Sequence, residues 1–144
     1  MPSQNDRPLR ILSAADIYTI NETVTNRAPF VRDHQVLHSA VKRPYLILFG
    51  EEQFPTLLDK AAATLHSIAA HHIFVDGNKR TAARATALFL EANGIQPTWT
   101  DDASEAFILT VARGDADIET ISAWLADHTQ PLPPDEEEKD NAPS

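Results

Sequence analysis

Apolar positions recur at helical spacing through most of the chain, and prolines, glycines and polar clusters cut the pattern into segments. Ser13 with Asp16 three residues on is an N-cap signature, and Ile17, Ile20 and Val24 then form one stripe of a helix that Asn26 to Pro29 breaks. Arg32 to Arg43 predicts a second helix with Val36, Leu37, Ala40 and Val41 on one side, stopped by Pro44. Tyr45 to Gly50 is short, apolar and β-prone. Thr56 to Ala70 is amphipathic, with Leu57, Ala61, Leu65 and Ile68 in phase, whereas Lys79 to Asn93 is apolar nearly all round. A helix without a polar face belongs in the middle of a bundle, where its alanines let neighbours approach closely and Gly94 suits its C′ position. After an extended piece, Ile95 to Thr100, Asp102 with Glu105 opens a helix ending at Gly114. Asp117 caps a last one, with Ile118, Ile121, Trp124 and Leu125 inward. The pattern therefore predicts an all-α bundle around one central buried helix.

The chemistry concentrates between the two middle helices, in His72-Ile73-Phe74-Val75-Asp76-Gly77-Asn78-Lys79-Arg80. Asn78 is a preferred N-cap type and Gly77 permits a positive φ, so the spacing predicts a helix start at about Lys79. A helix N-terminus carries free N–H groups and roughly half a positive charge, to which Lys79 and Arg80 add two full charges. Cations there are locally unfavourable, a cost that an anion would offset; phosphate is the usual guest of such a nest. Asp76 would repel bare phosphate but suits a Mg²⁺ that bridges phosphate oxygens. His72 offers an imidazole that can take a proton from an attacking hydroxyl. Plainer readings exist for each: a turn histidine, a turn aspartate bonding its own backbone, a solvated helix start. Phe74 is a core residue on either account. His71 fits the pattern only with a slipped register and reads as structural, and His34 and His38, four apart, lack a third ligand and read as surface histidines.

At these residues the chain resembles the signature loop of the Fic/Doc family, and the lysine at 79 resembles its Doc (death-on-curing toxin) branch. The resemblance runs over about residues 9 to 128 and implies a Fic/Doc-type helical domain; outside it the chain predicts a flexible segment at 1–8 and, where proline and acid dominate, a disordered acidic tail at 129–144. It implies that His72 is the general base, that Asp76 holds Mg²⁺ on the phosphates of ATP, that Phe74 anchors the loop, and that Gly77, Asn78, Lys79 and Arg80 cradle the nucleotide. Most Fic enzymes transfer AMP, whereas Doc moves the terminal phosphoryl of ATP to a threonine of elongation factor Tu and stops translation. Lys79 stands where AMP-transferring members have glycine, which favours the kinase. The second arginine of the fuller Fic pattern is missing: Ala83 occupies its place and Arg84 lies one residue on, rotated by about 100° on a helix. Gly77, in contrast, fits the general Fic pattern, so AMP transfer on the same site and a non-catalytic binding module stay open. By resemblance Tyr45 to Phe54 is a flap that lays the target beside the site; the plain alternative is a buried connector. No Glu is followed by Gly or Asn, so the inhibitory helix pattern of many Fic proteins has no match here, and a cognate antitoxin acting in trans is the implied restraint.

Composition narrows the partners. A chain of 144 residues suits one ordinary domain, burying about two-thirds of its unfolded surface. No apolar run approaches the ~20 residues of a membrane span, and the polar N-terminal stretch lacks the core of a signal peptide. With no cysteine there is neither a disulfide framework nor a thiolate site, which points to the cytoplasm. The net charge of −9 is uneven, because Asp135 to Asp140 holds five acids against Lys139. Such a balance speaks against general nucleic-acid affinity and leaves the two loop cations as a local exception.

Overall fold

The computed structural model describes residues 8–133. Six helices form a bundle: α1 (Ala14–Thr25), α2 (His34–Lys42), α3 (Leu57–Ala70), α4 (Asn78–Ala92), α5 (Asp101–Ala112) and α6 (Ile118–Asp127). Two small antiparallel sheets complete it, β1 (Ile47–Leu48) with β2 (Glu51–Glu52) and β3 (Ile95–Pro97) with β4 (Thr129–Pro131). The helical expectation holds, with α4 packed against α1, α3 and α5 at the centre. Where α3 meets α4 the buried residues are small: Ala61, Ala62, Ala82 and Ala85 are each fully buried, beside Leu65, Phe89 and Leu90.

Capping explains most of the boundaries. Ser13 and Thr56 each form a capping box, with Asp16 and Asp59 respectively, while Asp33, Thr100 and Asp117 accept from backbone N–H groups at the starts of α2, α5 and α6. Two starts outside the loop move from their expected places. α2 begins at His34 rather than Arg32, because Val31 and Arg32 are engaged in backbone pairing with the loop before α4: the Arg32 N–H donates to the Ile73 carbonyl at 2.8 Å. α5 is capped by the Thr100 hydroxyl rather than by Asp102 and begins at Asp101, two residues early.

The tail expected to be disordered from 129 is ordered at its start. Thr129–Pro131 pairs with Ile95–Pro97 in the register Pro97↔Thr129, Gln96↔Gln130, Ile95↔Pro131, and the Leu132 N–H reaches the Gly94 carbonyl at 2.9 Å. Pro131 is tolerated because the strand is an edge. Residues 134–144, which carry the acidic run, and residues 1–7 of the expected flexible segment lie outside the described residues.

Tyr45 to Phe54 is not a buried connector. Arg43–Tyr45 forms a 3-10 turn around buried Pro44, and the chain then turns out into the β1–β2 hairpin. Its two-residue tip, Phe49 (φ 53°) and Gly50 (φ 78°), has both residues in the left-handed region that hairpin turns of this length favour. Phe49 is fully exposed and Ile47 is 61% exposed. The base is fastened by buried Lys60 of α3, whose Nζ donates to Glu52 Oε1 at 3.1 Å and to the Phe54 carbonyl at 2.5 Å.

Candidate active site

The loop between α3 and α4 starts with a reversal. His71 caps the C-terminus of α3, and His72 adopts φ 51°, uncommon for a residue with a side chain. The consequence is a division of labour: the next two side chains, Ile73 and Phe74, are both fully buried, while the His72 ring stays exposed. Strained backbone of this type persists only where its surroundings fix it. Here the fixing is dense. The Val75 N–H donates to the Phe30 carbonyl at 3.1 Å, so the loop pairs like a short strand with Phe30 to Arg32.

Asn78 does not act as the N-cap that its residue type predicts. Gly77, at φ 79°, is the N-cap, α4 starts at Asn78, and the Asn78 side chain turns back on the loop. Its Oδ1 accepts from the Phe74 N–H at 2.9 Å and its Nδ2 donates to the Phe74 carbonyl at 2.8 Å. Both backbone groups of a fully buried residue are thereby satisfied. The geometry thus gives Asn78 a loop-fixing place rather than a cap. It leaves α4 as the one α-helix among the described residues whose start has no side-chain cap.

Gly77 is required twice over. A Cβ there would lie 2.5 Å from Thr25 Cγ2 and 3.1 Å from Asn21 Nδ2, on a backbone that already disfavours side chains. Asn21, almost fully buried on α1, donates to the Asp76 carbonyl at 2.9 Å and to Thr81 Oγ1 at 3.1 Å. It ties α1, the loop and α4 together, and sequence reading missed it; a lone polar residue one turn on from Ile17 in the buried stripe is the signal.

Asp76 is exposed, and its Oδ1 accepts from the Gly77 N–H at 2.8 Å, the turn role foreseen as the plain alternative. Its Oδ2 faces outward to Arg27 Nη2 at 2.5 Å. Lys79 and Arg80 are both exposed in the first turn of α4, and Arg80 Nη1 donates to the Val24 carbonyl near the end of α1 at 2.6 Å. A cavity of about 800 Å³ opens here. It runs from Asp76, Gly77, Asn78, Lys79 and Arg80 along Ala83, Arg84 and Ala87 to Trp99, Glu105 and Ile108. Its lining joins the cations Lys79, Arg80 and Arg84 and the carboxylate of Asp76 to apolar Ala83, Ala87, Trp99 and Ile108, with Asp101 and Glu105 on α5. Another groove, of about 670 Å³ between α3 and α6, contains none of the loop residues.

Beside His72 lies a second imidazole cluster. Arg43 Nη1 meets His66 Nδ1 at 2.7 Å and donates to Ser67 Oγ at 3.0 Å, and the His66 and His71 rings stand edge to face at 5.5 Å. Burial lowers the pKa of both histidines and the Arg43 charge lowers each further, with His72 adding to the effect on His71. Both shifts disfavour the protonated forms, although His66 is half-buried and His71 is exposed. His34 and His38 are exposed on α2, and no group of three or more acidic, histidine or cysteine side chains fit to hold a metal occurs among the described residues.

Residues 11–90 match the model of the Fic/DOC family. The chain is 40% identical over 117 residues to the "Toxin Doc" of Mycolicibacterium smegmatis, covering 80% of this chain and 90% of that protein. It is 38% identical over 76 residues to the "Protein kinase doc" of Escherichia phage P1, covering 51% of this chain and 58% of that one.

Proposed function

The chain belongs to the Fic/DOC family, and we propose that it is a Doc-like toxin that transfers the terminal phosphoryl of ATP to a Ser or Thr hydroxyl of a protein, elongation factor Tu by resemblance, and so halts translation. The names of the two relatives support the toxin and the kinase respectively. The observation that carries the reading is the start of α4: free N–H groups, no side-chain cap, and two exposed cations at the mouth of a cavity large enough for a nucleotide. Lys79 projects from the first turn, where AMP-transferring members have glycine.

The donor set fits Mg²⁺ delivered with phosphates. Asp76 is the carboxylate of the loop, and this ion commonly takes one or two carboxylates, keeps its waters and fills the rest from phosphate oxygens. When bound, the metal would neutralise charge growing on the bridging and terminal phosphate oxygens. The chain's own residues do the rest. The His72 imidazole takes the proton of the target hydroxyl, whose oxygen bonds to the terminal phosphorus as the bond to the bridging oxygen breaks and ADP leaves. Lys79, Arg80 and the N–H groups of the first turn hold the non-bridging oxygens in place. Asn78 and Gly77 act by fixing that turn. The β1–β2 hairpin, exposed on both strands, offers backbone edges on which a target segment can lie. An antitoxin acting in trans is the proposed restraint.

ATP labelled on the γ-phosphate, incubated with the protein and elongation factor Tu, should label the factor. His72→Ala should reduce that by about 10² to 10⁴-fold with nucleotide affinity retained. Label arriving only from the α-phosphate would replace this reading by AMP transfer, and label from neither, with growth inhibition surviving His72→Ala, would leave a binding module.

A further inference from the structure

Arg27 had no assigned role in the sequence, yet its guanidinium occupies the outward oxygen of Asp76, at 2.5 Å. The placement is built from below. Asn26 ends α1 in the left-handed region (φ 58°) with its N–H on the Glu22 carbonyl, and the Thr25 hydroxyl donates to the Arg27 carbonyl at 3.3 Å. The backbone of Arg27 is thus held while its side chain reaches across to the loop. Stability does not explain the pair: the two side chains are 63% and 49% exposed, a setting in which ion pairs contribute little.

Electrostatics supplies a reason. A divalent cation approaching Asp76 without phosphates meets Arg27 on the carboxylate and Lys79 and Arg80 beside it. A polyphosphate arriving with the metal reverses the balance, since its oxygens can take the guanidinium that the carboxylate releases. Resting on the reading of Asp76 as the metal-holding residue, we propose that Arg27 is a positioning residue. It stands in for the metal on Asp76 in the nucleotide-free protein and moves to the phosphates when metal and nucleotide enter together. Metal binding is thereby biased toward the nucleotide-loaded protein.

The test is calorimetric and spectroscopic, on the full chain, with Mn²⁺ as the metal probe and AMP-PNP as the nucleotide. Arg27→Ala should raise Mn²⁺ affinity of the nucleotide-free protein by about two- to fivefold, the factor an exposed ion pair is worth. The same variant should lower affinity for Mn²⁺–AMP-PNP by about tenfold or more, the loss of a charge-assisted contact. Arg27→Lys should recover part of both, and an unchanged melting curve excludes a folding artefact. Mn²⁺ affinity that stays level or falls in Arg27→Ala, or nucleotide affinity that does not move, overturns the proposal while leaving the kinase reading intact if Asp76→Asn still abolishes metal-dependent nucleotide binding. If Asp76→Asn binds Mn²⁺–AMP-PNP as the parent does, both fall together.

Discussion

The loop before α4 and the β1–β2 hairpin are both turns with left-handed residues, and they are built in opposite ways. In the loop, left-handed His72 is followed by two fully buried side chains, every polar group of Phe74 is paired, and the flanking helices are the most buried of the bundle. In the hairpin, left-handed Phe49 points into solvent, the strands are two residues each, and Lys60 is the visible anchor. The difference teaches how a small domain separates positioning from recognition. Groups that must be held to a fraction of an ångström are mounted on the core, and groups that must meet a partner are hung outside it.

Phe74→Ala attacks the rigid side directly and should cost about 3–5 kcal/mol, measured by urea denaturation. A cost below 1 kcal/mol would show that the loop is not core-mounted. Lys60→Met removes the charged donors at the hairpin base and should cost about 1–3 kcal/mol, with faster proteolysis between Leu46 and Phe54. Equal proteolysis would mean that the hairpin holds itself.

The imidazoles of His66 and His71 beside the loop sharpen the contrast by pH. Because burial lowers the pKa of His66 and His71, their neutral forms favour the folded state. That contribution is full above the ordinary histidine value of about 6.5 and is lost as pH falls below it towards the lowered folded values. The melting temperature should therefore drop between about pH 7.5 and 5.5, less steeply in His66→Gln. A pH-independent midpoint would remove this argument. Phe49→Asn should have the smallest effect on folding, within about 0.5 kcal/mol and toward stabilisation, since asparagine accepts the left-handed turn. It should nonetheless slow modification of the protein target, and undiminished turnover would show that the tip plays no part in docking.

Much of this was legible in the chain. The helices follow their stripes and caps, and the loop announced itself because a base, an acid, a glycine and two cations crowded one short stretch. What escaped was whatever depended on partners distant in sequence. Asn78 looks like a cap until the bare backbone of Phe74 claims its amide. Thr129 to Pro131 looks like the start of a tail until Ile95 to Pro97 offers an edge. Arg27 lies in a helix break with no periodicity to mark it, and Lys60 sits in the first turn of α3, where nothing local shows that a carbonyl must be met.

The alanine-rich seam between α3 and α4 has one more consequence. Alanine surrenders no rotamer freedom on folding, so where Ala61, Ala62, Ala82 and Ala85 are buried the two rods that carry the loop are set against each other largely by main-chain shape. Methyl groups have no alternative conformers to exchange, and thermal hopping of side chains, the usual source of slow drift between packed helices, has little purchase there. The spacing between an imidazole at the end of one rod and cations at the start of the next is fixed by the least excitable material a protein interior can use.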